Sequence, residues 1–187
     1  MLDATFASHL PVKASVFIAA SIDGFIARPN GDLDWLPMEK DVDGGDFGYQ
    51  AFLDSVDTVV MGRHTYEKVL GFEGDWPFGG KRVVVLSTRS PNIPARLAGQ
   101  VAWMEGPPHR ILGQLAAEGA RHLYIDGGRT IQAFLQARLI HRLIVTRIPV
   151  LLGSGIPLFG PLESDLPLRH LRTAAYANGM VQSEYAI

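Results

Sequence analysis

The sequence predicts an α/β fold: one mixed central sheet, mostly parallel, finished by an antiparallel C-terminal hairpin. Three observations predict it. Runs of β-branched residues alternate with helical stretches, the pattern of strands joined by crossover helices. The first run, Ala14–Ser21 (ASVFIAAS), is apolar on both faces, as a strand covered from both sides must be. Near the end, Asn178-Gly179 stands between two strand-like runs, and Asn-Gly in that setting favours a hairpin turn.

The 187 residues are 47% hydrophobic and 19% charged, which suits a single domain over 1–187 with its ordered core from about residue 12 onward. Cysteine is absent, so disulfide frameworks, cysteine-ligated metal sites and a thiol nucleophile are excluded. No metal is expected. Lys and Arg number 17 against 19 Asp and Glu, a formal charge of −2. That balance gives no electrostatic footprint for nucleic acid. The apolar run over 12–22 is broken by Lys13 and too short for a bilayer, and Met1-Leu2-Asp3-Ala4 lacks the basic start of a signal peptide. A cytoplasmic protein is the expectation.

After the first strand comes a long irregular stretch, Ile22–Gly45, rich in Gly, Asp and Pro. Loops of that length inside compact domains are usually functional. Asp46 can cap a short helix through Ser55, with Tyr49, Phe52 and Leu53 on one face. Thr58–Met61 (TVVM) is the second strand, Gly62 turns the chain, and His64–Leu70 reads as a helix. A loop rich in Gly, Trp and Pro over 71–80 leads to a third strand, Arg82–Ser87, and Val101–Met104 makes a fourth. Pro107-Pro108 opens a helix through Glu118, and Gly119 ends it. His122–Ile125 (HLYI) is the fifth strand. Asp126-Gly127-Gly128 turns into a helix over Thr130–Ala137, and Arg142–Ile148 (RLIVTRI) is the sixth strand. Pro149–Gly160 is an excursion whose Leu151, Leu152, Ile156, Leu158 and Phe159 are apolar for a loop. Leu166–Ala175 and Met180–Ile187 form the hairpin.

Three strand ends carry chemistry suited to phosphate. At Met61-Gly62-Arg63-His64-Thr65 a strand runs straight into a helix, whose free N–H groups and positive dipole end favour an anion. Gly62 admits close approach, Arg63 offers a two-pronged contact, and Thr65 a hydroxyl. At Asp126-Gly127-Gly128-Arg129-Thr130 two glycines again join strand to helix. At Leu86-Ser87-Thr88-Arg89 two hydroxyls and a guanidinium follow a strand. Ligands of open α/β sheets lie outside the carboxyl ends of the strands, and three such ends suit an extended diphosphate better than a lone anion. Neither G-x-G-x-x-G nor a Walker A sequence is present. In the long loop, the apolar run Trp35-Leu36-Pro37 can close over a flat ring and exclude water.

Ala19-Ala20-Ser21-Ile22-Asp23-Gly24-Phe25-Ile26-Ala27, Met61-Gly62-Arg63-His64-Thr65-Tyr66-Glu67, Val85-Leu86-Ser87 and Asp126-Gly127-Gly128 stand in the order found in dihydrofolate-reductase-like proteins. The chain resembles that superfamily over nearly its whole length. Within it, the chain is most similar to standalone bacterial proteins related to the reductase domain of the bifunctional riboflavin-biosynthesis enzyme. The resemblance implies a three-layer dihydrofolate-reductase-like fold and NADPH as hydride donor. It implies Gly62, Arg63 and Thr65 at the diphosphate and adenosine phosphate, and Leu86, Ser87 and Thr88 along the adenosine, with Arg89 at the 2′-phosphate. Gly127, Gly128, Arg129 and Thr130 would close around the diphosphate. Ala19 and Ile26 would hold the nicotinamide carboxamide through their backbone.

Dihydrofolate reductases carry a buried acid on the first helix. Gly48 falls at that position here, which argues against folate as acceptor. The activity implied is reduction of a small heterocyclic or carbonyl compound, such as a phosphoribosylaminouracil, with dihydrofolate reduction itself and a non-catalytic NADPH-binding protein of the same fold as the alternatives. Asp126 is the first candidate to orient the acceptor or handle its proton, because it sits at the sheet edge beside the cofactor residues. Asp46 and Asp23 follow. Related proteins often pair, and the apolar 149–160 excursion makes a homodimer the expectation.

Overall fold

The computed structural model describes residues 12–36 and 45–187; the readings at the N-terminus and over 37–44, Pro37 included, lie outside those residues. Among the described residues there are ten strands and four α-helices: β1 Lys13–Ser21, β2 Phe25–Ala27, α1 Tyr49–Ser55, β3 Thr58–Gly62, α2 Arg63–Leu70, β4 Arg82–Leu86, β5 Val101–Met104, α3 Pro108–Ala117, β6 His122–Asp126, α4 Gly128–Gln136, β7 Arg142–Ile148, β8 Ile156–Pro157, β9 Arg169–Ala175 and β10 Val181–Ala186. Eight strands form one sheet in the order β5-β4-β3-β6-β1-β7-β10-β9. The pairs from β5 to β7 are parallel, and β10 runs antiparallel to both β7 and β9. This is the predicted mixture. The Tyr176–Met180 turn closes the hairpin with Gly179 at φ 84, a conformation that suits glycine.

Two apolar cores flank the sheet. One gathers α3 (Ile111, Leu112, Leu115) and α4 (Ile131, Phe134, Leu135) over β1, β6 and β7. The other gathers α1 (Phe52, Leu53) and α2 (Tyr66, Val69) over β3, β4 and β6. Helices on both faces make three layers, and they explain why β1, β3 and β4 read as continuous apolar runs. Each fully buried Leu, Ile or Phe contributes about 1.5–3 kcal/mol of burial.

Two helix starts illustrate how the structure departs from the expectation for local reasons. Helix α1 starts at Tyr49, three residues after Asp46, because Phe47 (φ 55) and Gly48 (φ 81) are both left-handed. Helix α4 starts at Gly128 and not Thr130, since Gly127 (φ 85) completes the turn alone. A two-stranded sheet, β2 with β8, also joins the long loop to the 149–160 excursion. Leu158 of that excursion is fully buried within the chain, whereas Leu151 is 70% exposed. Among the described residues no helix is long and apolar enough to cross a membrane.

Candidate functional site

The parallel strands aim their carboxyl ends at one rim of the sheet, and α2 and α4 leave that rim directly. Gly62 is register partner of Leu86, and a Cβ built on Gly62 would lie 3.2 Å from Thr130 Oγ1. A Cβ on Gly127 would run into the Thr65 side chain. The tips of β3, β4 and β6 therefore meet. Neither α2 nor α4 has a side-chain cap at its start. Two uncapped N-termini, each with free N–H groups and the positive end of a dipole, stand side by side.

Beside them opens a cavity of about 510 Å³. Its floor is Ile18, Ala19, Asp126, Gly127 and Gly128. One wall is α2 and its exit, through Thr65, Lys68, Val69 and Phe72. The loop after β2 roofs it with Asn30, Gly31, Leu33 and Leu36. That loop is braced internally by Arg28–Asp34 (2.6 Å) and an Asn30–Asp32 bond (2.7 Å). An ion pair ties it to the body, Lys68 Nζ to Asp32 at 2.8 Å. Most of the lining is apolar, which suits a flat ring held away from water.

Six of the predicted site residues line this cavity: Ala19, Ile26, Thr65, Asp126, Gly127 and Gly128. Gly62, Leu86 and Thr130 lie at its rim, and Thr130 is buried. Arg63 is paired with Glu67 at 2.6 Å. Ser87 folds back on Arg89, accepting from its N–H (3.0 Å) and donating to its carbonyl (2.5 Å). Thr88, Arg89 and Arg129 are exposed. Asp23 and Asp46 stand outside the cavity lining. Asp23 accepts from Ser21 Oγ and from the N–H groups of Leu152 and Gly153, so it clasps two loops. Asp46 accepts from the N–H groups of Gly48 and Gln50 and so organises the start of α1.

Asp126 is the acid on the cavity floor. Burial pushes its carboxyl up to about 6, against which a single Gly127 N–H bond at 2.8 Å works. The Tyr124 phenol beside it donates elsewhere, to the Phe17 carbonyl at 2.9 Å. Burial, with the Asp126 charge adding to it, pushes the Tyr49 phenol up. Tyr49 packs edge-on to Phe17 with centroids 5.5 Å apart, completing an aromatic wall with Phe52 and Tyr124. Tyr49, Lys68, Val69 and Phe72 were not among the candidates. The apolar face of α1 hinted at Tyr49, whereas the Lys68–Asp32 contact spans 36 residues and left no local signal.

The pieces fit an NADPH-like cofactor. Gly127 and Gly128 leave backbone bare where α4 begins, two helix starts offer N–H groups to a diphosphate, and the apolar cavity beside them accepts a ring. Comparison with known proteins agrees with this geometry. The family described as RibD C-terminal domain matches residues 13–182. The Bacillus subtilis (strain 168) protein YwjB is 35% identical over 175 residues, spanning 92% of this chain and 97% of YwjB. A crystal structure described as "Putative riboflavin biosynthesis protein" from Shewanella sp. PV-4 superposes with a TM-score of 0.87 at 41% identity, over 94% of this chain and 98% of that one. Dihydrofolate reductase from Enterococcus faecalis, complexed with NADP(H), shares the fold at a TM-score of 0.66 and 17% identity, over 95% and 96% of the two chains.

Proposed function

The chain belongs to the RibD C-terminal domain family, and from that membership, which supports a reductase-type function, we propose that it is an NADPH-dependent reductase of a small heterocyclic acceptor. The observation that carries the reading is the meeting of two uncapped helix starts beside an apolar cavity with a half-buried acid, Asp126, on its floor. When bound, NADPH supplies the hydride.

The chain's own residues do the rest. Backbone N–H groups at the starts of α2 and α4 hold the diphosphate, with Thr65 between them and Thr130 at the rim. Arg63 turns from Glu67 to a phosphate. Ser87, Thr88 and Arg89 follow the adenosine side. Ala19 and Ile26 present backbone to the ring, and Leu33 and Leu36 keep water off it. Asp126 orients the acceptor. With its carboxyl near 6, it holds a proton over a range where an ordinary aspartate has lost it, and it can pass that proton to the acceptor heteroatom. The acceptor class follows the family: an aminouracil or a similar ring. Folate fits less well, because Asp46, the acid just before α1, is spent on its own turn. Leu151 and Phe159, both exposed, suit pairing with a second copy, which sedimentation would show.

The test is loss of reduced-nicotinamide absorbance with a panel of aminouracil ribosides, their 5′-phosphates, pterins and simple carbonyls. Turnover with one ring class, abolished in Asp126→Ala with NADPH still bound, supports the reading. NADPH binding with no oxidation across a panel spanning these acceptors would point to a binding protein that has kept the fold alone.

A further inference from the structure

Helix α1 packs behind the cavity floor, its Tyr49 against Tyr124 of β6, two residues before Asp126, yet it is only seven residues long. A helix that short does not hold itself in water, so its place depends on anchors at both ends. The far end is fixed by Phe52 and Leu53, both buried in the core. The near end is less usual. The chain enters α1 through two consecutive left-handed residues, Phe47 at φ 55 and Gly48 at φ 81. For phenylalanine that conformation costs about 1–2 kcal/mol and persists only where something holds it.

What holds it comes from the other end of the chain. Gln182 on β10 is 7% exposed. Its Nε2 donates one hydrogen to the Phe47 carbonyl at 3.1 Å and the other to Thr146 Oγ1 at 3.0 Å. Thr146 on β7 is itself buried and is register partner of both Ala19 on β1 and Gln182 on β10. Ala19, Thr146 and Gln182 therefore form one row across three strands, on the sheet face that α1 covers. That row runs from the cavity floor to the hairpin. The Phe47 ring packs edge-on to Tyr176 with centroids 4.7 Å apart, a second contact with the hairpin. Asp46 shapes the turn locally, but the Gln182 amide is what ties it to the sheet.

We propose that Gln182 is a positioning residue of the acceptor pocket: by pinning the Phe47 carbonyl it sets where α1 begins, and so where Tyr49 packs on Tyr124, on the β6 face that also carries Asp126 of the pocket floor. Tyr49 follows Phe47 by two residues and packs on Phe17 at 5.5 Å and Tyr124 at 6.4 Å. With the amide gone, the near end of α1 swings free, Tyr49 retreats and water reaches Asp126. The pocket's role as an acceptor site rests on the proposed function; the positioning itself is a property of the ligand-free chain.

The experiment uses the full chain without cofactor or acceptor. Gln182→Leu keeps the bulk and removes both donated hydrogens. The Asp126 carboxyl is followed by carbon NMR across pH, with amide hydrogen exchange read in parallel. The groups nearest that carboxyl are Tyr49 on α1 and Tyr124 on β6, with His64, Glu67 and Lys68 of α2 lining the same cavity. In Gln182→Leu the Asp126 midpoint is expected to fall from about 6 by about one unit or more, toward the usual value of about 3.9. Amides of α1 are expected to lose at least about tenfold in protection while those of α4 keep theirs. An unchanged Asp126 midpoint overturns the proposal, as does an equal loss in α4, which would mean general loosening. Should Gln182→Leu fail to fold, Thr146→Val removes only the hydroxyl that orients the amide; a smaller shift in the same direction supports the proposal, and none overturns it. Failure of NADPH to bind would count against the proposed function and leave this outcome untouched.

Discussion

Thr65 stands where a side chain on Gly127 would have to go. A Cβ on Gly127 would overlap Thr65 Oγ1 and lie 3.2 Å from Thr65 Cβ, on a residue whose φ is already 85. The starts of α2 and α4 are thus interlocked through one glycine and one threonine. Gly127→Ala is expected to destabilise the protein by about 2–4 kcal/mol, the sum of a left-handed backbone cost and overpacking. It is also expected to weaken NADPH at least about tenfold, because both helix starts must move apart. Urea unfolding and calorimetry check the two effects separately, and a neutral Gly127→Ala would show that the interlock yields freely.

Arg63 and Glu67 form an i,i+4 pair at 2.6 Å on α2. For Arg63 to serve a phosphate it must leave Glu67. Arg63→Ala is therefore expected to weaken NADPH by about 1.5–3 kcal/mol, the worth of a charged hydrogen bond. Glu67→Gln should act the opposite way and tighten NADPH by up to about 1 kcal/mol, since an exposed pair is worth no more than that. Equal dissociation constants for the wild type and Arg63→Ala would remove Arg63 from the site.

Asp126 gives the pH dependence its sign. Its carboxyl is raised in the fold, to about 6 from an ordinary 3.8. Between those values the folded chain keeps a proton that the unfolded chain has lost, so stability falls as pH rises through that window and is flat above it. The loss is on the order of 2–3 kcal/mol. His122 and His141 act the other way. Burial holds both below their usual value. His141 Nδ1 accepts from the Ala14 N–H, a bond that needs the unprotonated nitrogen, whereas the bond His122 Nδ1 donates to the Ser55 carbonyl works against its burial without outweighing it. Their contribution is present above about 6.5 and is lost as pH falls below it. Asp126→Asn is expected to leave only the histidine slope, with higher stability at pH 7 than the wild type. Urea midpoints from pH 4 to 8 would show it; a variant less stable than the wild type at pH 7 would contradict the burial argument.

The roof of the cavity hangs on Lys68 and Asp32, half-exposed at 42% and 50%. A pair that open contributes at most about 1 kcal/mol to stability. Its effect should instead appear in opening of the roof. Lys68→Met is expected to raise amide exchange over residues 28–36 several-fold with little change in melting temperature, and added salt should do the same to the wild type. Unaltered exchange in Lys68→Met would show that the loop is held by Leu33 and Leu36 alone.

Much of this was legible from the residues. Val101–Met104 and Arg142–Ile148 have the predicted bounds, because short apolar runs flanked by polar residues leave little choice of where the strand starts and stops. The convergence of Gly62, Leu86 and Thr130 followed from three strand ends read separately, two of which run straight into helices. Strands β2 and β8, of three and two residues, were not legible, since so short a run has no period to read. The sequence puts the helix cap at Asp46; its carboxylate does take the Gln50 N–H, but the N-cap is Gly48, because the left-handed Phe47 that delays the helix is held by Gln182, 135 positions away. The raised carboxyl of Asp126 depends on what α1 and the roof cover, which only three dimensions supply.

Calorimetric titration of NADPH into the wild-type chain tests the central claim most directly, because the shared diphosphate cradle is what every assigned role presupposes. The account predicts one site per chain with a dissociation constant of roughly micromolar order, about −8 kcal/mol. Absence of binding heat up to about millimolar NADPH, where even −4 kcal/mol would register, would contradict it.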